Sequence, residues 1–452
     1  MAPTVRSFSA EFEPLGLVAQ FPDIYPGLLE SSAPIGPATG GGRFDILPIS
    51  NGECLRLDAD RRLSGPHAAG ARGFLGALEN WWRSLRAEGD PASLPFTGGW
   101  LLYLGYELAD EIEPRLHLPP SADPFVALAI RAPGAWIRDR RSRRAWVVAE
   151  SGCESLIERF AGDVTRANAS AGGPAARFEL REEDPHQFVQ AVERALDYIG
   201  AGDVYQANLS RQWQGISAGA IDPAALYQRL RAANPSPFAA LVRDGDFALI
   251  SSSPERLLSI RGGIASTRPI AGTRPRGASA DRDAALIESL LHNEKERAEH
   301  IMLIDLERND LGRICIGGSV RVDEYMAVES YAHVHHIVSN VRGLLRDGVS
   351  PIGAIRAMFP GGTITGCPKV RCMEIIAELE GGGRGAYTGA VGYLNRDGSC
   401  DLNILIRTIT ARSNALKFRA GAGIVADSNP MQELAETRAK AEGLIRALKT
   451  ET

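Results

Sequence analysis

The chain has 452 residues, with 50 lysines and arginines against 55 aspartates and glutamates, so its formal net charge is −5. This balance argues against nucleic acid as a partner, and the apolar runs are too short to cross a membrane. The first residues lack the basic start and apolar core of a signal peptide, and the six cysteines have neither paired nor metal-ligand spacing. These features predict a soluble protein of the reducing cytoplasm.

The N-terminal part, residues 1–165, is rich in glycine and proline and has short apolar runs, for example at residues 100–103 and 145–148. This pattern favours β-structure with loops over a helical bundle, with a helical segment around residues 73–86. A linker is predicted at residues 166–182, because its central stretch ANASAGGPAA has the composition of a flexible connection.

The second part, residues 183–452, alternates strands and helices. Asp184 and Pro185 provide a cap and a first-turn proline for its first helix, and Asn429 caps its last one. Strands are predicted at residues 204–213, 247–253, 265–276, 386–394, 402–410 and 416–426, and helices at residues 281–306, 370–379 and 430–448. Short connections between neighbouring strands predict an α+β fold, with large, mostly antiparallel sheets packed as a sandwich, surrounding helices and an active-site cleft in the C-terminal part.

A glycine- and threonine-rich elbow, FPGGTITGCPK at residues 359–369, leads into a predicted helix whose first position is Pro368. The free N–H groups and the dipole of such a helix start attract anions. An ordinary glycine turn before a helix has the same sequence features, so both interpretations stay open at this point.

Two glutamate pairs lie at i, i+3 spacing on predicted helices, Glu296 with Glu299 and Glu433 with Glu436. They are either solvated acidic faces or two walls of one cleft. Two carboxylates ~5 Å apart repel by about 3 kcal/mol at an effective dielectric of ~20, so four facing each other need a cation. Mg²⁺ is the natural candidate, because it prefers oxygen ligands.

Arg407 lies inside the predicted strand at 402–410 with apolar neighbours, so its guanidinium needs an anionic partner, either a protein carboxylate or a substrate carboxylate. The run Gly421-Ala422-Gly423 interrupts another predicted strand and allows close backbone approach to a ligand, or forms a bulge. His336, in an apolar run, has by itself the features of a core histidine.

Taken together, these residues resemble the chorismate-utilising enzymes, which include anthranilate, aminodeoxychorismate, isochorismate and salicylate synthases. The resemblance covers essentially the whole second part. The segments that carry it are SSSPE (251–255), PIAGT (269–273), AEHIMLIDLERNDLGR (298–313), HHIVS (335–339), GGTITGCPK (361–369), GAVGY (389–393), ILIRT (404–408), AGAGIVADS (420–428) and ELAETRAKA (433–441).

The resemblance implies a role for each matching residue. Glu255 is expected to protonate the departing C4 hydroxyl of chorismate, with His336 against the ring. The four glutamates are expected to hold Mg²⁺, which binds the ring carboxylate. The other residues implied to line the site or hold the substrate are Thr273, Thr363, Gly366, Tyr393, Arg407, Gly421, Ala422, Gly423 and Lys440.

The nucleophile is expected to be ammonia. Relatives that add water carry a lysine base where this sequence has Gln206, and a neutral amide cannot deprotonate water. Many aminodeoxychorismate synthases also carry a lysine, proposed to attack the ring, in the PIxGT motif. Here that position is Ala271, as in anthranilate synthases.

The resemblance implies, first, component I of aminodeoxychorismate synthase, which makes the precursor of 4-aminobenzoate and folate; the segments at residues 205–209, 43–46 and 359–362 favour this branch. The second reading is component I of anthranilate synthase, and the third a non-catalytic chorismate or tryptophan sensor. No segment resembles a glutamine amidotransferase, so a partner subunit is expected to supply ammonia. Leu29, Glu30 and Ser31 resemble a tryptophan-binding regulatory segment.

Overall fold

The computed structural model describes residues 2–33, 42–88, 94–121, 123–167, 177–277, 279–331 and 334–449. Residues 168–176 of the predicted linker lie outside these ranges. The described residues form two large sheets of antiparallel strands with helices around them, which confirms the predicted α+β fold. No helix within these ranges has the length and apolar character needed to span a bilayer.

The strands are numbered in chain order. They are β1 (Thr4–Phe8), β2 (Gly27–Glu30), β3 (Phe44–Ile49), β4 (Cys54–Asp58), β5 (Leu63–Ser64), β6 (Gly99–Leu104), β7 (Phe125–Ala132), β8 (Gly134–Asp139), β9 (Arg144–Ala149), β10 (Phe178–Glu182), β11 (Gln206–Ser217), β12 (Phe238–Asp244), β13 (Phe247–Ser253), β14 (Arg256–Arg261), β15 (Ile264–Arg268), β16 (Ile270–Pro275), β17 (Arg321–Ser330), β18 (Val334–Leu344), β19 (Gly366–Cys367), β20 (Ala390–Asn395), β21 (Cys400–Ile404), β22 (Thr408–Arg412) and β23 (Ala415–Ile424).

The α-helices are numbered in the same way. They are α1 (Leu15–Gln20), α2 (Gly73–Leu85), α3 (Ala109–Ile112), α4 (Ser155–Arg166), α5 (Pro185–Gly200), α6 (Pro223–Ala233), α7 (Ala280–His292), α8 (Glu294–Gly312), α9 (Pro351–Met358), α10 (Lys369–Glu380) and α11 (Pro430–Leu448). Short 3₁₀ turns lie at Tyr106–Leu108 and Gly362–Ile364.

Both sheets contain strands from both parts of the sequence. The first has the order β1-β9-β8-β3-β2-β12-β13-β22-β23-β11-β10, with β19 also paired to β11. The second has the order β16-β18-β15-β14-β21-β20-β6-β7-β4-β5, with β17 also paired to β18. Strand pairs such as β2 with β12 and β6 with β20 therefore join the N-terminal part to the second part.

The inner faces of the two sheets pack against each other. Leu101 and Tyr103 of the second sheet lie in one buried apolar cluster with residues of the first sheet. These are Ala240, Val242 and Leu249. On the outer face of the first sheet, α6 and α11 pack on its strands; α2 and α9 cover the second sheet in the same way. The result is the predicted sandwich with helices outside it.

Two chain segments cross from one sheet to the other at the same place. β13 lies in the first sheet and β14 in the second, and Glu255 lies between them. β21 lies in the second sheet and β22 in the first. The Ile404 N–H donates to the Glu255 carbonyl at 3.0 Å, and the Ser252 N–H to the Arg407 carbonyl at 3.1 Å. These bonds hold the two crossings side by side.

The strand predicted at residues 402–410 is wrong in part, because the second crossing divides it. The strand is interrupted at residues 405–407, and Arg407 has a φ of 54° because the chain turns there from one sheet into the other. A positive φ is uncommon for a residue with a side chain. Arg407 is therefore at a sheet crossing and not in the middle of a strand.

The predicted helix at residues 281–306 is also wrong in part, because α7 ends at His292 and α8 begins at Glu294. The side chain of Asn293 accepts a hydrogen bond from the Glu296 N–H at 3.0 Å. Asparagine is a preferred N-cap, so it starts a new helix within an otherwise continuous pattern. The caps Asp184 of α5 and Asn429 of α11 are where the sequence predicts them.

The glycine-rich segments also differ in detail. The elbow before α10 pairs with β11 as β19, and Pro368 is the cap of α10 and not its first residue. The run 421–423 does not interrupt its strand, since it continues β23 in register with β11.

Candidate active site

A cavity of about 680 Å³ opens where the two sheet crossings meet β11, β16, β18, β23, α8 and α11. It gathers most of the site residues predicted from the sequence. Those that line it are Gln206, Glu255, Ala271, Thr273, Glu296, Glu299, His336, Thr363, Arg407, Gly421, Gly423, Glu433, Glu436 and Lys440.

Glu255 is a buried acid at the first sheet crossing, with a relative exposure of only 6%. The hydroxyl of Thr363 donates to its Oε1 at 2.7 Å, which fixes the carboxyl group. Burial raises the pKa of Glu255 to about 7, against smaller opposing effects of the Thr363 hydrogen bond and of Lys440. A carboxylic acid with this pKa carries a proton near neutrality and can donate it.

Arg407 and Lys440 supply positive charge to the same cavity. The guanidinium of Arg407 donates to the Lys440 carbonyl, and the Lys440 ammonium donates to the Gly421 carbonyl at 3.1 Å. Arg407 forms no ion pair with a carboxylate within the described part of the chain, and burial lowers its pKa. An arginine without a protein carboxylate, facing a cavity, favours an anionic ligand.

The β23 wall of the cavity has no side chains at two positions. A Cβ on Gly421 would lie 2.5 Å from the Tyr387 hydroxyl, and one on Gly423 would lie 2.5 Å from the Gln206 side-chain nitrogen. Glycine at both positions lets these polar groups and a ligand approach the backbone closely. Gln206 is 2% exposed, and its side-chain oxygen has no hydrogen-bond partner among the described residues.

The opposite wall is formed by β16 and β18. Nδ1 of His336 lies 2.9 Å from the Thr273 hydroxyl and 3.3 Å from the Gly272 carbonyl. Burial lowers the pKa of His336 to about 4, so the imidazole is neutral at physiological pH. Ala271 is buried on the same wall and leaves space where a lysine would fill it.

The two glutamate pairs face one cavity. Glu296 also pairs with Arg274 at 3.0 Å, and Glu436 with Lys440 at 2.5 Å. Burial raises the pKa of Glu299 to about 7, and the charges of Glu296 and Glu436 add to this rise. The pairs are thus near enough to repel. Within the described ranges, no three acidic, histidine or cysteine side chains already converge as a metal-binding group.

Three predicted substrate-binding residues do not line the cavity. Tyr393 packs edge-on against Phe96, with ring centroids 5.7 Å apart, in the second sheet. Ala422 points into the core below β23, because side chains of a strand alternate and Gly421 and Gly423 take the cavity side. Gly366 allows β19 to approach β11, since a Cβ there would lie 2.1 Å from the Gln206 carbonyl.

The predicted regulatory segment is also outside the cavity lining. Glu30 ends β2 and pairs with Arg231 at 3.1 Å, and burial raises its pKa to about 7. The Ser31 N–H donates to Asp45 at 3.2 Å, and Leu29 packs between the sheets. The two N-terminal segments singled out in the sequence therefore adjoin each other, and their regulatory role stays a prediction.

Sequence reasoning missed several residues of the cavity. Tyr387 lines it in place of the predicted Tyr393, and Asn208 of β11 and Arg419 of β23 line it as well. Asn208 follows Gln206 by two positions on β11, so strand alternation was a signal for it. Tyr387 lies between two glycines, but its position depends on a turn and has no periodic signal.

This arrangement can bind an anion beside an acid that holds its proton at neutral pH. The acid Glu255, the cations Arg407 and Lys440 and the four glutamates of α8 and α11 all line one cavity. Such a site is suited to expelling a hydroxyl group from a carboxylate-bearing substrate by general acid catalysis.

Comparison with known proteins agrees with the site. The model of the family described as chorismate binding enzyme matches residues 59–446. The chain is 43% identical over 393 residues to aminodeoxychorismate synthase component 1 of Bacillus subtilis, covering 83% of this chain and 82% of that protein. It is also 43% identical over 361 residues to the anthranilate synthase component I-like protein of Synechocystis sp., covering 79% and 74%.

A solved structure gives the same result. The crystal structure of anthranilate synthase component I from Streptococcus pneumoniae TIGR4 matches with a TM-score of 0.79 and 31% identity, covering 91% of this chain and 94% of that one. The family match spans well over half of the sequence and includes all residues that line the cavity. The chain therefore belongs to the chorismate-binding enzyme family and is a chorismate-utilising enzyme.

Proposed function

We propose that this chain is component I of an aminodeoxychorismate synthase, which replaces the C4 hydroxyl of chorismate with an amino group from ammonia. The observation that carries this proposal is the buried, Thr363-held Glu255 in the same cavity as Arg407, which has no carboxylate partner there. The acid protonates the departing hydroxyl, and Arg407 holds a substrate carboxylate together with the glycine backbone of β23.

Gln206 supports ammonia over water as the nucleophile. Its side chain lines the cavity and is neutral, and an amide oxygen can accept a hydrogen bond from ammonia but cannot take a proton from water. His336, neutral at physiological pH, lines the opposite wall of the same cavity and adds no charge that would repel the ammonium group formed when ammonia adds.

The specific product separates two candidates. The segments 205–209, 43–46 and 359–362 favour 4-amino-4-deoxychorismate, whereas Ala271 favours anthranilate with release of pyruvate. Relatives with both names are equally similar to this chain. With Ala271 on its wall, the cavity offers no lysine at that position, so we propose that ammonia attacks the ring directly.

Ammonia has to come from outside the chain. We propose a separate glutamine amidotransferase as the partner, because the relatives that resemble this chain are named as components.

Product analysis tests the proposal. The purified chain is incubated with chorismate, Mg²⁺ and an ammonium salt, and the products are separated by chromatography. We expect a non-fluorescent amino-chorismate that becomes 4-aminobenzoate only when the lyase is added. Fluorescent anthranilate with stoichiometric pyruvate would replace the proposal by its alternative, and no product even with an amidotransferase would leave only the sensor reading.

We propose that Mg²⁺ binds between α8 and α11. The residues that would hold it are Glu296, Glu299, Glu433 and Glu436, directly or through water. Their oxygen ligands suit Mg²⁺, and the like charges that raise the pKa of Glu299 are relieved by a cation. When bound, the ion would fix a substrate carboxylate and offset its charge.

Calorimetry tests this metal site without substrate. Because the pKa of Glu299 is about 7, Mg²⁺ binding at pH 7 is expected to release part of a proton, so the measured heat should depend on the buffer. Glu299→Gln should weaken binding by about tenfold or more and remove the proton release. Glu294→Gln, an exposed change on the same helix, is the matched control. Normal Mg²⁺ binding by the Glu299 variant would contradict this assignment.

A further inference from the structure

Glu307 is a buried glutamate that the proposed reaction leaves without a role. It lies on α8, two turns after Glu299, and only 1% of its surface is exposed. Its Oε2 has no hydrogen-bond partner among the residues that the structure describes. An isolated buried carboxylate is costly, so a carboxyl in this position is most stable with its proton.

One side of Glu307 adjoins the acid of the active site. The Thr267 hydroxyl hydrogen-bonds to Glu307 and also donates to the Arg256 carbonyl at 3.2 Å, next to Glu255. A hydroxyl has one proton, so Thr267 can donate to the Arg256 carbonyl or to Glu307 but not to both at once. Glu307 is also close to the segment that holds Glu255, because a Cβ on Gly362 would lie 3.9 Å from Glu307 Oε1, and the next residue, Thr363, donates to Glu255.

On its other side, Glu307 neighbours a residue that lines a second cavity. Asp310 follows Glu307 by three positions on α8 and pairs with Lys369 at 2.6 Å. The same Cβ on Gly362 would lie 3.6 Å from Asp310 Oδ2, so Asp310 and Glu307 both face this glycine. Asp310 and Lys369 line a separate cavity of about 180 Å³, and the Lys369 side chain is 18% exposed there.

We propose that Glu307 is a proton-relay residue that returns a proton to Glu255 after each turnover, drawing it from solvent in the second cavity by way of Asp310 and Lys369. The proposal rests on the proposed function in one respect, because it needs Glu255 to act as the acid. It does not depend on whether the product is amino-chorismate or anthranilate.

The protons balance in this scheme. Glu255 gives its proton to the C4 hydroxyl, the C–O bond breaks, and water leaves. Ammonia forms the new C–N bond, and the resulting ammonium group loses one proton to solvent. Glu307 then passes its proton to the Glu255 carboxylate through one bridging hydroxyl or water, and solvent in the second cavity reprotonates Glu307. The sum is substrate plus ammonia giving aminated product plus water.

The electrostatics agree with this geometry. Burial raises the pKa of Glu307 to about 8, the neighbouring Asp310 and Glu255 raise it further, and Lys369 opposes them. Burial also raises the pKa of Asp310, while Lys369 and Arg313 oppose the rise. Burial therefore favours the protonated form of both Glu307 and Glu255.

Steady-state kinetics of Glu307→Gln tests the relay. The amide has the same shape but no acidic proton, so kcat should fall about 10²-fold while KM stays within about twofold. The solvent deuterium isotope effect on kcat should rise, since proton return becomes rate-limiting. For Glu307→Ala, added formate should restore part of kcat, because a small acid can occupy the vacated space. Glu113→Gln, which lines the second cavity without adjoining Glu255, is the matched control.

An infrared measurement separates failure of the relay from failure of the proposed function. The free enzyme at pH 7 should show a carboxylic acid band that Glu307→Gln removes and Glu113→Gln keeps. If the band is absent, or if Glu307→Gln turns over chorismate at the wild-type rate and isotope effect, the relay is wrong. If the band is present but the wild type consumes no chorismate with any nucleophile, the proposed function fails while the protonated Glu307 stands.

Discussion

Glu255→Gln is expected to lower kcat by about 10³-fold with little change in KM. Glutamine keeps the shape of the side chain and can still bond to Thr363, but it has no proton to give to the leaving hydroxyl. The measurement is chorismate consumption under saturating ammonia, with binding followed separately by calorimetry. A rate within tenfold of wild type would remove Glu255 from the general-acid role.

Glu107→Gln is the matched control for this substitution. Glu107 is 1% exposed, and burial raises its pKa to about 7, as for Glu255, but it accepts from the N–H groups of Arg384 and Gly385 outside the cavity lining. Its replacement should leave kcat within about twofold of wild type. Equal losses in both variants would indicate that removal of any buried carboxyl damages the fold.

The pH dependence follows from the same group. As the proposed general acid, Glu255 acts in its protonated form, so we expect wild-type kcat/KM to fall as the pH rises through about 7. The folded-state pKa lies above the unfolded value, so stability is also lost as the pH rises from about 4.5 to about 7, by about 3 kcal/mol for such a shift. Glu255→Gln should therefore melt at a higher temperature than wild type at pH 8.

The second large effect is expected from Arg407→Lys. A guanidinium can hold a carboxylate by two parallel hydrogen bonds, whereas an ammonium offers only a point charge. We expect kcat/KM for chorismate to fall about 10²-fold, mainly through a higher KM, since the lost contact holds the substrate. The fold should persist, because lysine keeps the positive charge and is, like arginine, a long side chain on the same backbone of the sheet crossing.

Arg412→Lys controls for the substitution itself. Arg412 ends β22, pairs with Asp246 at 2.9 Å on the surface, and lies outside the cavity lining. Its replacement should leave both kinetic constants near wild type. An unchanged KM in Arg407→Lys would show that Arg407 holds the sheet crossing and not the substrate.

Much of the candidate site follows from local sequence pattern. The i, i+3 spacing of Glu296 and Glu299 places both on one face of α8 regardless of the rest of the fold. The caps of α5 and α11 are correct for the same reason, since a cap acts within one turn. The resemblance to the chorismate-utilising enzymes then assigns Glu255, Gln206 and His336 to one site.

The errors come from long-range pairing. A strand that crosses between sheets has the same alternating pattern as one that stays, so nothing local marks the break at residues 405–407. Tyr387 lies in the turn before β20 and Tyr393 on β20, so the choice between them depends on where that turn meets the cavity. The break at Asn293 is a local exception, because its side chain caps α8 at the Glu296 N–H within an otherwise helical pattern.

The sequence by itself determined the family and the spacing of the glutamates on their helices, and it predicts which carboxyl group acts as the acid, because these depend on residue type and short spacing. The tertiary structure decided how the N-terminal and C-terminal parts share both sheets. It also decided that the chain turns at Arg407 from one sheet into the other, and which tyrosine lines the cavity. It also placed Glu307 between Glu255 and a second cavity. These features depend on contacts between distant residues, which no local pattern encodes.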